Sequence, residues 1–203
     1  MANLPGRGKV IVGHYGLAAA VKAREPMVPL WLLMLATVWL DVIFIPFLAA
    51  GIEWIEPVPH AAHYGGLIIH ADYTHSLVGA ALLSIALAVP VARAWGRRGG
   101  IVVGLVALSH WMLDLVVHRN DLPLLPGNVG DLPKLGFALW AKPDMAIGLE
   151  ILIFAAGIYA YWQAASKVAL AAGVSRYLAV RSAFKAFFFG ALIIILDLTG
   201  LAG

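Results

Sequence analysis

Residues 101–118 form an apolar run long enough to cross a bilayer, yet its second half carries His110, Asp114 and His118. These fall at i, i+4 and i+8, so they share one stripe of a helix. Ionisable groups at membrane depth cost from a few to roughly ten kcal/mol and usually face a bundle interior, a partner or a bound ion. A chain with this pattern calls for a polar, metal-binding site inside a helical membrane protein.

Composition agrees with that class. Hydrophobic residues make up 62% of the 203 and charged residues 12%, about half the charged fraction of a soluble domain. With a mean hydropathy of +0.89, the expectation is an all-α polytopic bundle forming one integral-membrane domain over residues 1–203. The formal charge is +3, but no basic patch is interleaved with aromatics, so nucleic acid is not an expected partner. The absence of cysteine excludes disulfides, thiolate ligands and a cysteine nucleophile.

Five apolar segments read as spans: residues 26–51, 73–95, 99–118, 143–163 and 183–201. Each approaches the roughly 20 residues that a hydrocarbon core demands. Residues 10–22 are shorter and bounded by Arg7, Lys9, Lys22 and Arg24, which suits a short sixth helix at the N-terminus. A signal peptide also begins with basic residues before an apolar region. Here His14-Tyr15-Gly16 interrupts that region and no A-x-A site precedes Lys22, so a retained helix is expected.

Lys and Arg placement orients the spans. Arg93, Arg97 and Arg98 fall in one loop, and Lys167, Arg176, Arg181 and Lys185 in or beside another, whereas residues 52–71 have no Lys or Arg. The basic loops are therefore expected in the cytoplasm, with residues 52–71 and 119–142 outside. Pro123, Pro126, Gly127, Gly130 and Pro133 make the second outer loop turn-rich. In this topology Asp41, Asp72, His75, His110, Asp114, His118, Glu150 and Asp197 all fall towards the outer side, as one outward-facing polar cavity requires. Trp31, Trp54, Trp95, Trp140 and Trp162 lie near span ends and read as interfacial anchors.

Imidazole nitrogen and carboxylate oxygen at helical spacing suit zinc or another divalent ion. The strongest elements are His70-Ala71-Asp72-Tyr73-Thr74-His75-Ser76 and Ser109-His110-Trp111-Met112-Leu113-Asp114. Thr74 or Ser76 can orient a ligand by a hydrogen bond. Asp72 reads equally as a helix cap, as does Asp144 after Pro143. His118 reads as a helix end at the interface, and His60 and His63 as solvated loop residues.

At these positions the chain resembles a family of bacterial membrane-bound, metal-dependent hydrolases of the inner membrane. The matching residues are His14, Asp41, His70 with Thr74-His75-Ser76, and Ser109-His110 with Asp114, over residues 10 to 120. Ala71-Asp72 stands where that family has Arg-Gly, and Ile43 where a second Asp follows Asp41. The resemblance implies a multi-pass, metal-dependent hydrolase of the inner membrane, and a site at the outer membrane boundary suits a lipid-like or amphiphilic ester. Its metal ligands would be His14, Asp41, His75, His110 and Asp114; apart from the resemblance, Asp72, Asp114 or Glu150 could act as general base if not all are ligands, with Asp72 and Glu150 the acid–base candidates.

Two other classes remain open at this point. In the first, an accessory subunit of a larger membrane assembly keeps an inherited polar site. Asp197, without an obvious partner, and the aromatic patch from Phe184 through Phe187 and Phe188 to Phe189 then meet other subunits, while the remaining apolar surface meets membrane lipids. Small residues such as Gly79, Ala80, Ala81 and Gly104 would allow close helix contact. In the second, His75 and His110 ligate a haem or chlorophyll-like pigment. No c-type haem motif is present, and the nearby carboxylates favour a hard cation.

Overall fold

The computed structural model describes residues 12–58 and 67–173, with single positions at 175, 177, 181, 184 and 188. In chain order the elements are α1 (Val12–Arg24), α2 (Leu30–Thr37), α3 (Trp39–Ala49), β1 (Trp54–Pro57), β2 (Leu67–His70), α4 (Leu77–Val117) and α5 (Pro143–Ala171). Short 3-10 turns at Pro126–Asn128 and Leu139–Ala141 lie between the last two helices. The chain divides into two compact units, residues 1–34 with 147–203, and residues 35–146.

The five-span bundle is not what forms. Among the described residues two helices, α4 and α5, are long and apolar enough to cross a membrane, or three spans if the bent pair α2–α3 is taken as one. The expected first span breaks by 50° between α2 and α3, where Val38 leaves helical geometry at φ −117°, ψ 15°. Both expected spans between residues 73 and 118 fall within one element, α4. A β-hairpin, absent from the expectation, fills part of the segment read as an outer loop. The expected span at residues 183–201 lies outside the described residues.

α4 is not straight. Trp95 (φ −120°, ψ 17°) and Gly96 (φ +76°, ψ 165°) are non-helical, and Gly96 supplies the left-handed φ that other residues resist. Beyond this point the chain doubles back. A Cβ on Gly100 would lie 2.5 Å from that of Ala92, and one on Gly104 would lie 2.9 Å from that of Ala88. In a straight helix those pairs would be about 12 and 24 Å apart along the axis. Small residues let the two arms approach backbone to backbone, so residues near 75 and near 110 become neighbours.

In the unit of residues 35–146, Leu40 of α3 packs against Ala80 and Trp111 on the two arms of α4. A second cluster joins Phe44, Ile69, Ala71, Val117, Trp140 and Ala146. The strands pair antiparallel, Trp54 opposite His70 and Pro57 opposite Leu67. Ser76 caps α4, its Oγ accepting from the Gly79 N–H at 3.0 Å. The next orphan donors of that helix end, Leu77 and Val78 N–H, are taken by the carbonyls of Pro123 and Leu124. The 119–142 segment is thus tied to the start of α4, and a Leu122–Leu135 bridge closes it on itself.

In the other unit, α1 and α5 meet through glycine. A Cβ on Gly157 would fall 1.8 Å from the Gly16 carbonyl oxygen, and one on Gly16 would fall 2.5 Å from the Phe154 Cα. Buried Glu150 accepts from Gly13 N–H in the first turn of α1, where helix donors lack intrahelical partners.

Candidate metal centre

His75 precedes the first arm of α4, His110 and Asp114 lie on the second, and Asp41 lies in the first turn of α3. The reversal at Trp95–Gly96 and the α3 contact bring all four together. His75 Nε2 is 3.3 Å from His110 Nε2, 3.6 Å from Asp41 Oδ1 and 3.6 Å from Asp114 Oδ2. His110 Nε2 is 3.1 Å from Asp114 Oδ2 and 3.7 Å from Asp41 Oδ2. Zinc bonds of about 2.0–2.2 Å in a tetrahedron give ligand–ligand edges of about 3.3–3.6 Å. The five separations match that scale. Asp41, His75 and His110 form a group able to hold a metal ion.

The second nitrogen of each ring shows what the first can do. His110 Nδ1 lies 2.6 Å from the Thr37 carbonyl oxygen. A carbonyl only accepts, so Nδ1 carries the hydrogen and the neutral ring presents a lone pair at Nε2. His118 Nδ1 lies 3.0 Å from Asp121 Oδ1, while Asp121 Oδ2 accepts from Ile69 N–H at 3.1 Å. His118 Nε2 therefore also points a lone pair inward, 3.7 Å from Asp114 Oδ2. His75 Nδ1 lies 2.9 Å from Thr74 Oγ1.

Lone pairs and carboxylates thus converge with few hydrogens between them. One proton can serve His110 and Asp114, but it leaves His75 Nε2 facing acceptors. A divalent cation serves the whole group, and two carboxylates with neutral imidazoles match its charge. The donor set of nitrogen and oxygen, without sulfur, suits zinc or a similar ion. Burial sharpens the demand, because unpaired charge away from water is costly. The His75, His110 and Asp114 side chains are at most 8% exposed, whereas that of Asp41 is 24% exposed. The centre is closed except on the Asp41 side.

The Asp72 carboxylate is engaged by Lys134 Nζ at 2.7 Å, and its carbonyl accepts from Gly127 N–H. Asp72 thereby holds the 119–142 segment. Glu150 and His14 are buried in the unit of residues 1–34 and 147–203, Glu150 bonded to Gly13 as described and His14 on α1. His60, His63 and Asp197 lie outside the described residues. Phe184 and Phe188 are exposed, and Phe187 and Phe189 are outside the described residues.

Three groups around the centre went unrecognised in the sequence: Glu53, Asp121 and the Thr37 carbonyl. His118, read as a helix end, joins them. Asp121 three residues after His118 was a readable signal, since that offset returns a side chain over the end of a helix. Glu53 follows the Gly51 turn and is fully buried, which nothing local announces. Comparison with family models, curated proteins and solved structures finds no match to this chain.

Proposed function

We propose that this chain is a metal-dependent hydrolase of the bacterial inner membrane that acts on a lipid-like or amphiphilic ester. The observation carrying the proposal is the convergence of His75, His110, Asp41 and Asp114 with a single accessible edge at Asp41. Structural zinc sites are closed, whereas catalytic ones keep a position open. A divalent ion held there would acidify a water and polarise an acyl or phosphoryl oxygen. The residues would do the rest. His75, His110 and Asp114 would hold the ion as three ligands and leave a further position to water, and Asp41 on the open edge would take the proton released from that water and return it to the leaving alkoxide. Apolar residues beside Asp41 on α3, Val42, Ile45 and Leu48, are exposed and suit an amphiphile better than a polar metabolite. The resemblance at Thr74-His75-Ser76 and Ser109-His110 with Asp114 supports the same reading.

Metal analysis of the purified full chain tests it, together with hydrolysis of chromogenic carboxylic and phosphoric esters in detergent micelles. The expected result is about one divalent ion per chain, turnover that stops on chelation and returns with zinc, and loss of both in His110→Ala. Wild-type protein without metal would overturn the reading. Stoichiometric metal without any turnover would leave a structural metal site and sink the enzyme.

A further inference from the structure

Glu53 is wholly buried, and each of its oxygens is used. Oε1 accepts from Tyr73 N–H and from Thr74 N–H, both at 2.8 Å. The Thr74 hydroxyl reaches Oε1 at 3.1 Å and Oε2 at 2.9 Å. A carboxylate only accepts, so the one hydrogen on Thr74 Oγ1 points to Glu53. Oγ1 then has only lone pairs for its remaining neighbour, His75 Nδ1 at 2.9 Å. Nδ1 must carry a hydrogen, and the neutral ring keeps its lone pair on Nε2, the atom that faces His110, Asp41 and Asp114.

We infer that Glu53 and Thr74 are positioning residues that fix His75 in its ligating tautomer through a relay from carboxylate to hydroxyl to imidazole. This rests on the reading of the centre as a divalent-metal site. The relay also ties the turn after α3, the helix that carries Asp41, to the segment that carries His75. Hydrogen bonds of this kind behind a ligating histidine are worth about 10–100-fold in metal affinity. Neither residue belongs to the group able to hold a metal ion.

Zinc titration of the full chain in detergent separates the relay from a purely structural role. Thr74→Val keeps the shape and removes the hydroxyl; it should weaken zinc binding about 10–100-fold. Thr74→Ser should bind as wild type does. Glu53→Gln keeps a carbonyl for the two backbone donors but turns an amide donor towards Oγ1, which frees the hydroxyl hydrogen to point at His75. Its affinity should fall between those of the two Thr74 variants. The visible absorption of cobalt(II)-substituted Thr74→Val should differ from that of wild type, a change that mere loosening of the turn would not produce in Thr74→Ser. Thr74→Val with wild-type zinc affinity overturns the relay while leaving the metal site standing. Wild-type protein that binds no zinc overturns the metal site, and the relay with it. Should Thr74→Val fail to fold, Glu53→Gln decides: affinity equal to wild type counts against the relay, a loss supports it.

Discussion

Two of the close approaches among the described residues are built from opposite materials. Where α1 meets α5, Gly16 and Gly157 bring backbone against backbone, and one carboxylate, Glu150, answers one helix-end donor. Around His75 and His110 the approach is polar: rings and carboxylates meet at 3.1–3.7 Å, and Thr37, Thr74, Asp121 and Glu53 hold the rings from behind. The first contact needs only that side chains be missing. The second needs particular atoms in particular protonation states, in a group able to hold a metal ion. Steric contacts of the first kind tolerate changes in solution conditions, while those of the second kind would respond to metal supply if the proposed ion is bound.

The largest difference should come from removing metal. A ligand at 100 times its Kd stabilises the native state by about 2.7 kcal/mol, so chelation should lower the unfolding midpoint markedly, and His110→Ala should abolish that response. Thermal unfolding with and without chelator measures it; an identical midpoint in wild type would dissolve the contrast between the regions.

The glycine contact should break next. Gly157→Ala places a Cβ 1.8 Å from a backbone oxygen, which must force the helices apart at a cost of about 1–3 kcal/mol. Gly148, on the same helix, has nothing within 4 Å of its Cβ position. There the same change should stabilise by about 0.5–1 kcal/mol through helix propensity. Opposite signs in denaturant unfolding of the two variants are expected, and equal signs would refute the steric account.

Smaller effects follow at the start of α4. Ser76→Ala removes the cap on Gly79 and should cost about 1 kcal/mol. Lys134→Met, which breaks a partly exposed ion pair with Asp72, should cost no more than about 1 kcal/mol. If Lys134→Met instead eliminated ester turnover at unchanged stability, Asp72 would regain a place in the chemistry.

What the sequence disclosed divides along similar lines. Helix-forming runs were visible, since apolar length and Pro143 at the start of α5 are local properties. The i, i+4 relation of His110 and Asp114 was visible for the same reason. The number of spans was misread, because apolar length does not show the break at Val38. A two-stranded hairpin also went unnoticed, since strands of four residues leave little periodic signal. The groups behind the rings were least legible. Glu53 lies 21 residues from Thr74, and the Thr37 group at His110 is a carbonyl, which no side-chain pattern encodes. Asp72 drew notice from its neighbours in sequence, and its partner Lys134 is 62 residues away.

The reversal at Trp95–Gly96 also grades the cost of closing each contact between the arms. Two arms joined by a one-step turn close cheaply near the turn, because the entropy of bringing chain ends together grows with the length between them. Ala92 and Gly100 close the shortest loop, and Ala88 and Gly104 a longer one. His75 and His110, 35 residues apart, close the longest of the three. The most chemically demanding part of the molecule thus depends on the longest closure, carried by arms that glycine and alanine let come close.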